Sequence, residues 1–173
     1  MIKFYFGGQF QFRYEDYSFE EASKDYRSLI LKDPHKFIDK PKEGFYVLSN
    51  DVLYVGPFYF YNHENLIPPQ RQVVESETNC VKSATDCVFV LSNSSAPGTI
   101  TEIIHATLLQ KNIYIFYVSN NSYEEIENDL WYAIQFASIN NPKTIIRQYP
   151  TYESAKEHCI EFINDIIKIH DKL

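Results

Sequence analysis

The chain has 173 residues, which suits one domain with a single sizeable core. Hydrophobic residues make up 45% and charged residues 23%, close to a globular average, which excludes wholesale disorder. The 16 basic and 23 acidic residues leave a formal charge of −7, which argues against a surface for polymeric nucleic acid but leaves room for one nucleotide in a pocket.

In chain order, apolar runs alternate with amphipathic ones. Ile2 to Phe6 reads as a short strand ending in Gly7-Gly8. Tyr14 to Leu31 carries Tyr17, Ala22, Tyr26, Leu29 and Ile30 at helical spacing. The stretch Asp33 to Gly44 (DPHKFIDKPKEG) is expected to be a surface excursion. Phe45 to Leu48 and Val52 to Val55 are strand-like pieces separated by the turn signal Ser49-Asn50-Asp51, and the second runs into Gly56-Pro57-Phe58. Pro68-Pro69 starts a helix ending near Asp86. Cys87 to Leu91 follows as a buried-type strand, then the polar loop Ser92 to Gly98. A helix over Thr99 to Gln110, a strand over Asn112 to Val118 and the loop Ser119 to Ser122 come next. Glu124 to Ser138 reads as a helix, Thr144 to Arg147 as a last strand and Tyr152 to Ile169 as a terminal helix.

This alternation, without repeat or linker, predicts a single α/β domain over residues 1–173 whose mainly parallel sheet is covered on both faces. Cys80, Cys87 and Cys159 lack zinc-ligand spacing and the even count of a disulfide framework, so they read as reduced, mostly buried thiols. MIKFYFGGQF has no apolar segment long enough for a signal peptide, and no run reaches membrane-spanning length. A soluble cytoplasmic domain without membrane contact is the expectation.

In open parallel sheets, ligands bind beyond the carboxyl ends of the strands. That rule selects four loops: Gly7-Gly8-Gln9-Phe10, Gly56-Pro57-Phe58, Ser92 through Thr99 including Asn93 and Gly98, and Ser119 through Ser122. There is no phosphate loop and no dinucleotide fingerprint, so no cofactor is expected. The third loop leads into Thr99-x-x-Glu102, which has two readings. It is a capping box in which Glu102 satisfies a free backbone N–H, or Glu102 faces the cleft as nucleophile or acid/base.

Resemblance bears on that choice. Tyr5-Phe6-Gly7-Gly8-Gln9-Phe10 resembles the first strand and loop of nucleoside 2-deoxyribosyltransferases. Ala84-Thr85-Asp86 with the apolar strand behind it is similar to their next landmark. Pro97-Gly98-Thr99-x-x-Glu102-x-x-x-Ala106, with Lys111-Asn112-Ile113-Tyr114-Ile115, resembles their GT-x-x-E signature, and Gly56-Pro57-Phe58 a GPF element of the wider family. The resemblance spans residues 2 to about 118 and implies a flavodoxin-like (Rossmann-like) three-layer sandwich with a five-stranded mainly parallel sheet.

It further implies cleavage of an N-glycosidic bond and 2-deoxyribosyl transfer between nucleobases, with Glu102 as nucleophile and a covalent glutamate–sugar intermediate. Gly7, Gly8, Gln9, Phe10, Gly56, Pro57, Phe58, Glu77, Ser92, Asn93, Gly98 and Thr99 are the expected substrate-binding residues. The partner is a nucleoside or nucleotide, no metal is called for, and a homo-oligomer is implied. Two positions depart from the family. Thr78 stands where an acid is usual, with Glu77 adjacent and Glu75 nearby, and the acid that contacts the base falls on Ala96. A nucleoside or nucleoside 5′-monophosphate hydrolase on the same scaffold, or a non-catalytic nucleotide-sensing module, are the alternatives.

Of the other candidates, His105 lies one turn after Glu102 and reads as packing or as a tuner of it. His63 and Glu64, behind Phe58-Tyr59-Phe60-Tyr61, suggest an aromatic lid, and Arg13 a polar contact after the first strand. Asp86 starts its strand and reads as structural. Trp131 and Tyr132 read as core or as a subunit interface.

Overall fold

A computed structural model describes residues 1–8, 19–58, 70–92, 96–119 and 129–172. The elements run β1 (Ile2–Gly8), α1 (Phe19–Lys24), α2 (Tyr26–Leu31), α3 (Pro34–Ile38), β2 (Tyr46–Ser49), β3 (Val52–Gly56), α4 (Gln70–Ser83), β4 (Asp86–Leu91), α5 (Pro97–Leu108), β5 (Asn112–Val118), α6 (Trp131–Asn140), β6 (Thr144–Tyr149) and α7 (Tyr152–Asp171).

The strands form one sheet in the order β2-β3-β1-β4-β5-β6. All neighbours pair parallel except β2 with β3, which form an antiparallel hairpin through Asn50-Asp51. This is the flavodoxin-like α/β sandwich predicted from the sequence, with a sheet of six strands rather than five. The additional edge strand is β2: its hairpin partner β3 is already locked in the parallel ladder, so its backbone groups have a template to pair with.

β4 is buried at every position, as a central parallel strand should be. Phe4, Tyr5 and Phe6 of β1 are fully buried beside it, and Phe6 stacks on Tyr54 of β3 with ring centroids 5.3 Å apart. Helices α4, α5 and α6 pack side by side on one face, while α2, α3 and α7 cover the other. The chain turns from β1 toward β3 on one side and later returns to β4 on the other. The carboxyl ends of β1 and β4 therefore flank the point where strand order reverses, where such sheets hold ligands.

Several element boundaries depart from the sequence reading for local reasons. The long helix expected over residues 14–31 is, from 19 onward, two short helices. Asp25 interrupts it, its backbone extended and its carboxylate accepting the Arg27 N–H as the cap of α2. The Asp33–Gly44 excursion contains α3, capped by Asp33 with Pro34 in the first turn, and it buries Phe37 and Ile38. Helix α4 stops at Ser83 rather than near Asp86, because the Thr85 N–H already bonds the Lys3 carbonyl at 2.9 Å and commits the chain to the sheet. No helix among the described residues is long and apolar enough to cross a membrane.

Candidate active site

The site is built where β1 ends. A side chain at Gly7 would place its Cβ 2.5 Å from the Phe89 ring and 2.9 Å from Oε2 of Glu102, so only a glycine lets the helix carboxylate come against the strand. Gly8 has φ +130°, and a Cβ there would meet the Val90 carbonyl oxygen at 2.3 Å. The backbone of β1 is thus pressed against β4 at the point where Glu102 arrives.

Glu102 is available because it is not a cap. Ala96 is the N-cap of α5, without a side-chain hydrogen bond, and Pro97 begins the helix. The N3 position that a capping box needs is occupied by Thr99, and Glu102 lies a turn further in. The capping reading therefore fails: a side chain a turn inside the helix cannot reach back to the free N–H groups of the first turn. The half-buried glutamate turns toward the end of β1 instead, on the helix face that also carries the buried Ala106.

Burial and three neighbouring groups set the charge of Glu102. Burial of the carboxyl is the largest influence, followed by the facing charge of Glu77 on α4, and together they push it up to about 8. The Tyr5 hydroxyl, which favours the charged form, and the Arg27 guanidinium pull in the other direction. Glu77 is also raised, again by burial first, with Arg27 opposing. Near neutral pH, the Glu102 carboxyl carries a proton, beside a second carboxyl that burial also raises. Such a pair can donate a proton, accept one, or release a carboxylate nucleophile when a positive centre develops beside it.

The two acids line one cleft between α4 and α5, with a cavity volume of about 110 Å³. Val74 and Val81 form its apolar wall, and Thr78, Thr101, Gly98 and His105 complete it. Burial and then the charges of Lys82 and Lys111 hold His105 below its usual range, so the imidazole is neutral at pH 7. It can accept or donate a hydrogen bond without adding charge.

Of the residues expected at the site, Glu102, Glu77 and Gly98 line this cleft together, and Gly7 touches the Glu102 carboxyl. Thr99 is buried in the first turn of α5, and Ser92 follows β4, half-buried. Gly56 has φ +132°, and a Cβ there would lie 2.6 Å from the Cys80 sulfur. The Pro57 carbonyl accepts the Tyr54 hydroxyl, and the buried Phe58 ring packs edge-on against Tyr46 and Tyr54. The GPF element is thus joined to the core under β3 rather than to the cleft between α4 and α5. Gln9, Phe10, Arg13, Asn93, the 59–64 lid and the loop residues 120–122 lie outside the described residues.

Between the two acids open on α4, the structure separates roles. Glu75 is exposed and pairs with Arg71 at 2.8 Å, whereas Glu77 faces Glu102. Asp86 sits at the opposite, amino end of the central strands, where it accepts bonds from Thr85, Asn112 and Tyr114, a structural role. Cys80, Cys87 and Cys159 are buried free thiols. Trp131 and Tyr132 are about half exposed at 52% and 53%, so the core reading is wrong for both. The cause is that α6 buries its Ala133, Ile134 and Ala137 stripe instead. No cluster of three potential metal ligands occurs among the described residues.

Three contributors went unread in the sequence. Tyr5 was legible only as a strand residue, although its hydroxyl favours the charged form of Glu102. Arg27 is fully buried, forked onto Asp25 at 2.7 and 2.8 Å, and Tyr26 donates its hydroxyl to the Gly7 carbonyl. The available signal was Asp25-x-Arg27, two opposite charges inside an otherwise apolar helical stretch.

No protein-family model and no curated protein sequence matches the chain. Among solved structures, the chain is similar to the CMP N-glycosidase BcmB of Clostridium botulinum, with a TM-score of 0.50 and 12% sequence identity over 92% of this chain and 98% of that one. At that identity the likeness concerns the fold, which is shared along nearly the whole length of both chains.

Proposed function

We propose that the protein cleaves the N-glycosidic bond of a nucleoside or nucleoside 5′-monophosphate, with Glu102 as nucleophile. The observation that carries this reading is the placement of the Glu102 carboxyl, outside any capping role, against Gly7 at the strand-order reversal and facing Glu77. A Glu102 oxygen bonds to the anomeric carbon as the bond from carbon to base nitrogen breaks. The electron pair of that bond leaves with the base, which takes up a proton from solvent water. An acceptor then attacks the sugar ester, loses its own proton and restores the carboxylate, giving net retention.

In this reading the acceptor is a second nucleobase, so that 2-deoxyribose is transferred. Water as acceptor gives the hydrolase on the same chemistry, which is the activity named for the structurally similar CMP N-glycosidase. Both displacements use protein carboxyls and need no cofactor. A homo-oligomer belongs to the proposal, with the exposed Trp131 and Tyr132 on α6 as apolar surface for it to cover.

The test is chromatography of 2′-deoxynucleosides and 5′-monophosphates incubated with excess free base, using wild type and Glu102→Ala. A new nucleoside from wild type alone supports transfer. Free base without exchange moves the reading to hydrolysis. Inert reactions throughout would remove Glu102 from catalysis and leave a nucleotide-sensing module.

A further inference from the structure

Helix α2 holds the far side of the strand end that Glu102 touches. The Tyr26 hydroxyl donates to the Gly7 carbonyl, and Nη1 of Arg27 reaches the Gly8 carbonyl at 3.5 Å. Arg27 is itself fixed: it is fully buried, forked onto both carboxylate oxygens of Asp25, and its guanidinium lies 5.1 Å from the Tyr26 ring centroid and 4.8 Å from that of Phe37. A guanidinium is charged at every physiological pH, so its burial is a permanent placement of positive charge. Such placement is costly unless the charge is paired, as the fork onto Asp25 does here.

We infer that Asp25, Tyr26 and Arg27 form a positioning clamp for Glu102: they grip the last two residues of β1 from the opposite face of the sheet and set a fixed positive charge behind the carboxyl pair. The line of contact runs from α2 through the Gly7-Gly8 backbone to the Glu102 carboxyl on α5. Arg27 also favours ionisation of both Glu102 and Glu77. Among the described residues, the other titratable groups turned toward Glu102 are Glu77 and Cys80 on α4, Tyr5 on β1 and Cys87 on β4, with none of them cationic. His105, one turn along α5, is neutral at pH 7. The role is one of positioning, since Arg27 is buried away from any substrate.

The inference rests on Glu102 as the reacting carboxylate, but its test does not require turnover. The side-chain carboxyl carbon of Glu102 can be followed by ¹³C NMR in glutamate-labelled protein and assigned by its loss in Glu102→Gln. Arg27→Gln should raise the titration midpoint of Glu102 by about one pH unit, and Arg27→Lys should keep it near wild type. Asp25→Asn, which frees the guanidinium of its counter-charge, should lower the midpoint. A purely structural ion pair predicts loosening of the same kind in both variants, so identical or same-direction shifts overturn the inference. If Arg27→Gln does not fold, the downward shift in Asp25→Asn beside an unchanged Arg27→Lys decides it. An unmoved Asp25→Asn midpoint then overturns it. Failure of the proposed activity would leave these titrations untouched.

Discussion

Oε2 of Glu102 lies 2.9 Å from the position a Cβ on Gly7 would occupy, so strand and carboxylate are fitted to each other through the absence of a side chain. Gly7→Ala should therefore displace Glu102 as well as crowd the Phe89 ring. The expected cost is about 1–3 kcal/mol of stability from overpacking, and turnover should fall on the order of 100-fold through misplacement of the nucleophile. Denaturant unfolding and turnover measured on the same preparation check both. Wild-type turnover in a destabilised Gly7→Ala protein would show that the close approach does not matter to the chemistry.

The raised carboxyl makes stability depend on pH in a definite direction. An unfolded glutamate releases its proton near 4.5, whereas Glu102 in the fold holds it to about 8. Between those values the folded state binds more protons, so the contribution of Glu102 is fully present below 4.5 and declines as pH rises through 8. Glu102→Gln should remove that decline and be more stable than wild type at pH 8.5, with a smaller difference at pH 5. Parallel urea-unfolding midpoints for the two proteins at both pH values would contradict the buried, protonated carboxyl.

Activity should follow the same group. If Glu102 attacks as the carboxylate, kcat/KM of the free enzyme rises with pH through about 8. Glu77→Gln removes the facing negative charge and should move this limb to lower pH. Tyr5→Phe removes a hydroxyl that favours the charged form and should move it to higher pH. Two substitutions on the two sides of one carboxyl thus have opposite signs, and shifts in the same direction would refute the arrangement.

Asp86 provides the contrast between an acid that builds and one that reacts. It accepts bonds from Thr85, Asn112 and Tyr114 at the amino end of the strands, opposite Glu102. Asp86→Ala should lower stability by about 1–3 kcal/mol by leaving those donors unmatched, with the pH limb of activity in place. A displaced limb would mean that the two ends of the sheet are coupled.

The alternation of elements was legible because buried parallel strands such as CVFVL and NIYIFYV are continuous apolar runs, and the helices between them keep their period. The edge strand β2 was recognisable as a hairpin arm, but its membership of the sheet depends on β3 being paired to β1 first. Glu102 was legible by resemblance, whereas its release from capping was not. Only the backbone of Ala96 and Pro97 shows that the helix starts early enough to carry Glu102 past its first turn. Arg27 and Tyr26 stayed hidden for a different reason: they lie nineteen positions from the glycines they grip, and no local pattern records a contact across that separation. The break at Asp25 could have been suspected, since an aspartate in a helical run competes for backbone N–H groups.

The chain has one tryptophan, and it sits half in water on α6, edge-on to Tyr132 at 5.7 Å. Its emission is therefore a natural gauge of that helix's outer surface rather than of the core. Ligand entering the cleft between α4 and α5 should leave the spectrum nearly silent, while any macromolecule settling on α6 should shift it to shorter wavelength, with no dye attached.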